Sequence, residues 1–233
     1  PARRKPRATP TTPAPALSEE HLAKLAAARA RAEAKKAAQV APAAPEAAVA
    51  AAPAPVAPAL SELLHAVGWP SDLTTPQGAS MVIRESTHRF SALSFHRAMV
   101  GQTIPMLLTA AGRAFLAYCP DEQRTQILDL ARGGGDDQAR LAADERFVAN
   151  ILARTRESGF ASNDGEWTSQ RKVGALALPI RLRQRPVGSV NIVYLNRAVT
   201  LKEAVRRYLP ALQKAASRIE AQLAGTPPAS AAS

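Results

Sequence analysis

Large apolar side chains are sparse over the first 55 residues and dense afterwards, and from there their spacing defines the elements. Ser61 offers an N-cap for a short helix, ELLHAVG, which ends at Gly68 before the Trp69-Pro70 step. Met81–Glu85 (MVIRE) and Arg89–Phe95 (RFSALSF) read as strands, with a further one around Asp72–Thr75. Thr109 opens the helical run TAAGRAFLAYC, in which Ala110, Ala114 and Ala117 line one side and Phe115 and Leu116 add bulk. Pro120 suits the first position of the next helix, DEQRTQILDLAR. Phe147, Val148, Ile151 and Leu152 mark an amphipathic helix over Glu145–Glu157, and Gly159 fits its stop. Phe160–Asn163, Val173–Arg181 and Val187–Leu195 read as strands, the last two joined as a hairpin by QRP at 184–186. The nearly all-apolar run Ala175–Ile180 predicts burial on both faces. Leu201–Leu223 is a long helix with Val205, Tyr208, Leu212 and Ile219 on its packed side, and Pro210 predicts a kink in it.

Strands that cluster, rather than alternate with helices, predict an α+β fold. The expected architecture is a curved, largely antiparallel sheet of five to six strands with flanking helices. Such an arrangement commonly leaves a pocket between the sheet and the covering helices.

Composition divides the chain. Residues 1–55 hold 22 Ala and 9 Pro with no Phe, Tyr or Trp, too little apolar area to offset the entropy of ordering. We therefore expect an Ala/Pro-rich basic low-complexity tail over 1–57, a folded domain over 58–225, and a disordered C-terminal tail over 226–233. Within the first tail, residues 18–39 have high helix propensity but few large apolar side chains. That segment reads as a solvent helix, or as a basic helix lying on DNA or an acidic partner.

The formal net charge is +11, of which residues 1–55 carry a surplus of five (nine Lys/Arg against four Asp/Glu). Such a surplus favours polyanionic partners without specifying one. The single cysteine, Cys119, excludes an intrachain disulfide and reads as a small buried hydrophobe. No apolar run approaches the ~20 residues that span a bilayer, and the N-terminus has no secretory apolar core, so a cytoplasmic protein is expected.

Catalytic patterns are missing from the sequence. His21, His65, His88 and His96 include no pair at helical metal-ligand spacing, and GxSxG and GxGxxG do not occur. Gly133-Gly134-Gly135 lacks the Lys and the spacing of a phosphate loop. Ser94 and His96 would share one face of a strand, but no acid accompanies them, and pocket lining is the expected role. No enzyme, metal or cofactor is expected.

The stretch SFHRAMVGQTIPMLLTAAGRAFLAYCPDEQR (94–124) resembles the effector-binding domain of IclR-family transcription regulators. The likeness runs on through ESGFASNDGEW, ALALPIR, VGSVNIVYLNRAVT and RYLPALQKAASRIE, covering about 58–222. WPSDLTTPQGASMVIREST and SFHRAMVG look most like the branch that activates phenylpropionate catabolism. The resemblance implies a GAF-like effector domain that binds a small, aromatic or other organic acid and controls catabolic gene expression. The implied effector residues are Leu93, His96, Ile104, Thr109, Ala110, Ala111, Asn163, Ala175 and Asn191. Backbone N–H groups of Ala110 and Ala111 at a helix N-terminus would receive the carboxylate. It also implies a homodimer or homotetramer without membrane contact. Such regulators read DNA through an N-terminal winged helix-turn-helix, and residues 1–55 lack the apolar residues for one. DNA contact is then expected only through a helix-turn-helix supplied upstream or by a partner; the alternative is a stand-alone sensor that heterodimerises with a full-length regulator.

Overall fold

The computed structural model describes residues 56–94 and 96–225. The expected N-terminal tail up to residue 55, its helix over 18–39 and the C-terminal tail lie outside the described residues, while residues 56 and 57 of that tail belong to the first helix. In chain order the elements are α1 (Val56–Val67), β1 (Ser71–Gln77), β2 (Ser80–Ser86), a 3-10 turn (His88–Phe90), β3 (Thr103–Pro105), α2 (Ala110–Tyr118), α3 (Asp121–Arg132), α4 (Asp137–Ala143), α5 (Glu145–Ser158), β4 (Ala161–Asp164), a second 3-10 turn (Thr168–Gln170), β5 (Val173–Leu182), β6 (Arg185–Leu195) and α6 (Leu201–Gly225). The fold is α+β. Its six strands form one curled sheet in the order β3-β2-β1-β6-β5-β4, and every pairing is antiparallel.

The two faces of this sheet bury different side chains, as strand alternation requires. Leu176, Leu178 and Ile180 of β5 join Val190, Ile192 and Tyr194 of β6 on the outer face. There they meet Leu60 and Leu63 of α1 and Tyr208, Leu212 and Ile219 of α6. On the inner face Ala175 and Ala177 touch Ala110 and Ala114 of α2, with Ala161 of β4 completing the seam. A third cluster, around Met81, Ile83, Phe115, Leu116, Ile127 and Leu152, packs α2, α3 and α5 together and against β2. The run of apolar residues in β5 is thus buried on both faces, as its sequence predicts.

Close approach sets the position of α2. A Cβ on Gly112 would lie 2.0 Å from the Met106 carbonyl oxygen, so only glycine lets the turn before α2 fold back onto the helix. Thr109 caps the helix: its Oγ1 accepts from the Gly112 N–H at 3.2 Å and donates to the Pro105 carbonyl at 2.8 Å. Gly174 performs a related service across the sheet, where a Cβ would sit 2.6 Å from the Tyr194 ring.

Several local expectations are corrected. α1 begins at Val56, before Ser61, because Pro58 is tolerated in a first turn; the Ser61 carbonyl accepts from His65 Nδ1 inside the helix. Pro120 is the N-cap of α3 rather than its first helical residue. Arg89–Phe95 is not a strand over its described residues. Thr87, Ser91 and Ser94 side chains capture backbone groups there, and these local bonds replace a sheet ladder. Two elements are additional: β3, a three-residue edge paired through Ile104 and Met81, and α4. α4 follows the triple glycine, is capped by the Asp136 side chain and buries mostly Ala and Gln138. The β5–β6 hairpin turns at Arg183 and Gln184, both at positive φ (50° and 67°), one residue earlier than QRP suggests.

Gly112→Ala should lower stability by about 2 kcal/mol or more, the scale of overpacking against backbone. Gly133→Ala, whose added Cβ would be no nearer than 3.5 Å to Leu130 O, should stay within about 0.5 kcal/mol. Urea unfolding of both variants checks the contrast.

Candidate functional site

The inner face of the sheet carries polar side chains between β1 and β6. Asp72 pairs with Asn191, whose Oδ1 accepts from the Asp72 N–H at 2.8 Å. Thr74 and Ser189, paired next along the strands, share a hydroxyl contact at 2.8 Å. The Trp69-Pro70 step that leads into β1 lines a cavity of about 300 Å³.

Trp69, Leu93, Val173, Val193 and Leu195 give this cavity apolar walls, while His88, Ser94, His96, Gln170, Lys172 and Arg197 supply polar groups. Among the described residues its lining includes two full cations and no carboxylate. The fold explains how they converge. β5 and β6 start and end together, with the Asn196 N–H donating to the Lys172 carbonyl at 3.1 Å and Asn196 Nδ2 to that of Arg171 at 2.8 Å. That tie sets Lys172 and Arg197 on the same exposed rim. Trp69 is anchored from behind by its indole N–H, which donates to the Tyr208 hydroxyl at 3.1 Å.

His88 and Ser94 add a polar group to the lining, and it continues to Asp72. His88 Nδ1 lies 2.7 Å from Ser94 Oγ, and His88 Nε2 lies 3.5 Å from Asp72 Oδ2. His88 and Asp72 are 3 % and 2 % exposed, whereas Ser94 is half-buried. Ser94 and His96 do not sit together on a strand; Ser94 Oγ donates to the His96 carbonyl, and the imidazole beside it is that of His88.

Of the residues expected from the sequence, Leu93 and His96 line the cavity. The others lie deeper in the fold. Ile104 and Ala111 are core residues against Phe115, and Thr109 is the cap of α2. The Ala110 N–H donates to Asn163 Oδ1 at 2.8 Å, so a side chain of the protein occupies this helix N-terminus. Asn163 pairs with Ala175 across β4 and β5, and Ala175 sits in the alanine seam. Asn191 holds the Asp72 backbone. Trp69, His88, Lys172 and Arg197 were not singled out as effector residues; they come from four separate stretches, and only tertiary structure joins them.

A buried cation connects the two regions. Arg113 of α2, 4 % exposed, donates to the Leu107 and Ser162 carbonyls at 2.8 and 2.7 Å and to Glu166 at 3.1 Å. Burial pulls its pKa down, opposed by the Glu166 charge. Burial would raise the Glu166 carboxyl, but the Arg113 charge and the Asp164 N–H outweigh it and hold that carboxyl below its ordinary range. The pair fixes the loop that leads to Gln170 and Lys172. Cys119 is buried, and burial raises its thiol pKa, as suits an inert core position. No helix among the described residues is long and apolar enough to cross a membrane.

Residues 52–221 match the family model described as the bacterial transcriptional regulator IclR C-terminal domain. Among solved structures, the chain is similar to a Rhodococcus sp. RHA1 protein described as a transcriptional regulator, at 26 % identity and a TM-score of 0.59 over 72 % of this chain and 66 % of that one. The C-terminal domain of the E. coli regulator KdgR shares the fold, at 19 % identity and a TM-score of 0.58 over 72 % of this chain and 96 % of that domain. So does Thermotoga maritima IclR, at 18 % identity and a TM-score of 0.57, over 72 % of this chain and 67 % of that one. The chain thus spans about two thirds of the Rhodococcus and Thermotoga proteins.

Because the folded Glu166 carboxyl is held below its ordinary value of 4.5, its stabilising contribution is complete above that pH and is lost as pH falls through the folded value. Glu166→Gln should therefore be less stable than wild type at pH 7. The gap should close as pH is lowered below 4.5, measured by denaturant melts across pH.

Proposed function

As this chain belongs to the family of C-terminal domains of bacterial IclR transcriptional regulators, we propose that residues 58–225 are an effector-binding domain that takes a small aromatic organic acid in the cavity beside Trp69. One observation carries the reading: an apolar-walled cavity of about 300 Å³ whose rim bears Lys172 and Arg197 and whose lining includes no carboxylate among the described residues. The apolar walls suit a ring, and the rim cations suit a carboxylate. An anion entering there gains from both, whereas a cation would meet only repulsion. The recognition is by binding and not by turnover.

The backbone donors at Ala110 and Ala111 enter this reading as a second contact region. An effector reaching them must first displace Asn163 from the Ala110 N–H. The likeness to the phenylpropionate branch supports a role in controlling aromatic catabolism. In that role the domain acts in the cytoplasm as a homodimer or homotetramer, with DNA contacted through a helix-turn-helix supplied upstream or by a partner.

Calorimetry with benzoates, phenylacetates and phenylpropionates, with and without ring hydroxyls, tests the proposal. At least one acid should bind with saturable heat, and its carboxamide should not. Lys172→Gln combined with Arg197→Gln should weaken that acid about tenfold or more, the loss of one to two charge-assisted contacts. Absence of heat with every acid would sink the proposal.

A further inference from the structure

We infer that the solvent face of α6 docks on duplex DNA, resting on the sugar-phosphate backbone without reading sequence. The charge of the folded domain is unevenly distributed. Residues 171–220, which include β5, β6 and most of α6, hold eleven Lys/Arg against two Asp/Glu. Residues 121–158, which include α3 to α5, hold six against eight.

Helical periodicity gathers the α6 charges on one side. Ala204, Tyr208, Leu212, Ala215 and Ile219 are buried in the core shared with the sheet and α1. The face turned away from them carries Lys202, Arg206, Arg207 and Lys214, all exposed. From Lys202 to Lys214 it runs about 18 Å, the rise of about five base pairs. None of these four has an ion-pair partner among the described residues. The acids of this layer are engaged elsewhere. Glu203 accepts from the Thr200 N–H at 3.1 Å, Glu220 accepts from the Arg181 N–H at 2.7 Å, and Glu62 of α1 pairs with Arg218. The Glu220 contact ties the β5–β6 hairpin to α6, and the exposed Arg183 and Arg185 at its turn extend the positive surface. On α3 and α4, by contrast, Arg124, Arg132 and Arg140 are each paired with an aspartate of their own helix.

The surroundings of these cations select the kind of polyanion. Between them on the solvent face lie Pro210, Gln213 and Ser217, and none of the exposed large apolar side chains among the described residues belongs to α6. A helix that lies on a membrane must insert an apolar face, and that of α6 is committed to the core. A protein partner is held by aromatic and apolar anchors at the centre of its interface, and a single nucleic-acid strand by aromatic stacking platforms; this face offers neither. A row of free cations on a regular element suits the repeating phosphates of a duplex, which position a protein without specifying sequence. In a family of transcription regulators, this contact adds to whatever helix-turn-helix reads the bases.

The test is the salt dependence of binding by the full chain to a labelled duplex of random sequence, followed by fluorescence anisotropy. Each phosphate contact contributes about 0.9 to the slope of log K against log salt concentration. Lys202→Gln, Arg206→Gln and Lys214→Gln together should reduce the magnitude of that slope by about two to three and weaken binding about tenfold or more. Glutamine matches Lys and Arg in helix propensity, and an unchanged urea midpoint checks that the variant is folded. Basic residues before residue 56 are common to wild type and variant and cancel in the comparison. Arg140→Gln, Arg146→Gln and Arg154→Gln remove the same charge from α4 and α5 and should change the slope by less than about one. A wild-type slope in the α6 variant, an equal drop in the α4–α5 variant, or no duplex binding by wild type would overturn the inference. So would tighter binding to phosphatidylserine vesicles than to duplex, lost in the α6 variant, which would make this face a membrane contact. Acid binding enters none of these measurements, so the organic-acid reading stands or falls separately.

Discussion

The close contact of helix α2 with the inner face of the sheet is the constraint on which the rest of this domain depends. Ala110 and Ala114 meet Ala161, Ala175 and Ala177 with no larger side chain between them, and Gly112 admits the Met106 carbonyl where any Cβ would collide. At that separation backbone polar groups must find partners at once, because water cannot reach them. Asn163 serves the Ala110 N–H, and Arg113 serves the Leu107 and Ser162 carbonyls. The seam therefore dictates a buried cation, and the cation dictates a carboxylate at Glu166. Glu166 in turn holds the loop that brings Lys172 to the cavity.

Much of this was legible in the sequence. Long periodic segments announced themselves: the apolar run of β5, the amphipathic pattern of α5, and α6 with Tyr208, Leu212 and Ile219 on its buried side. The alanines of α2 could be read as one side of a helix. Elements stabilised by side-chain-to-backbone bonds rather than by burial could not be found this way. α4 buries alanines and is held by Gln138, which bridges the Leu107 N–H and the Ala79 carbonyl. The 88–94 stretch has the aromatic content of a strand, but its Thr and Ser hydroxyls win the backbone groups.

Of the residues expected from the sequence, Leu93 and His96 line the cavity, and its two cations could not be read from the sequence. The family likeness pointed to a helix N-terminus as the anion receiver. In the fold one of its N–H groups is met by Asn163, and the cavity with exposed cations lies at the ends of β5 and β6. Lys172 and Arg197 look like ordinary surface charges in sequence; their meaning comes from Asn196, which ties the two strand ends together. His88 gains its environment from Asp72, sixteen residues earlier on a different element.

An organic acid bound beside Trp69 would change the emission of that indole. The chain has two tryptophans, Trp69 in the cavity wall and Trp167 in the β4–β5 connection, so intrinsic fluorescence can assign the signal. Titrating an aromatic acid into Trp167→Phe should give the full saturable change seen in wild type, and Trp69→Phe should lose it. A saturable change that survives in Trp69→Phe and vanishes in Trp167→Phe would mean that the acid binds elsewhere.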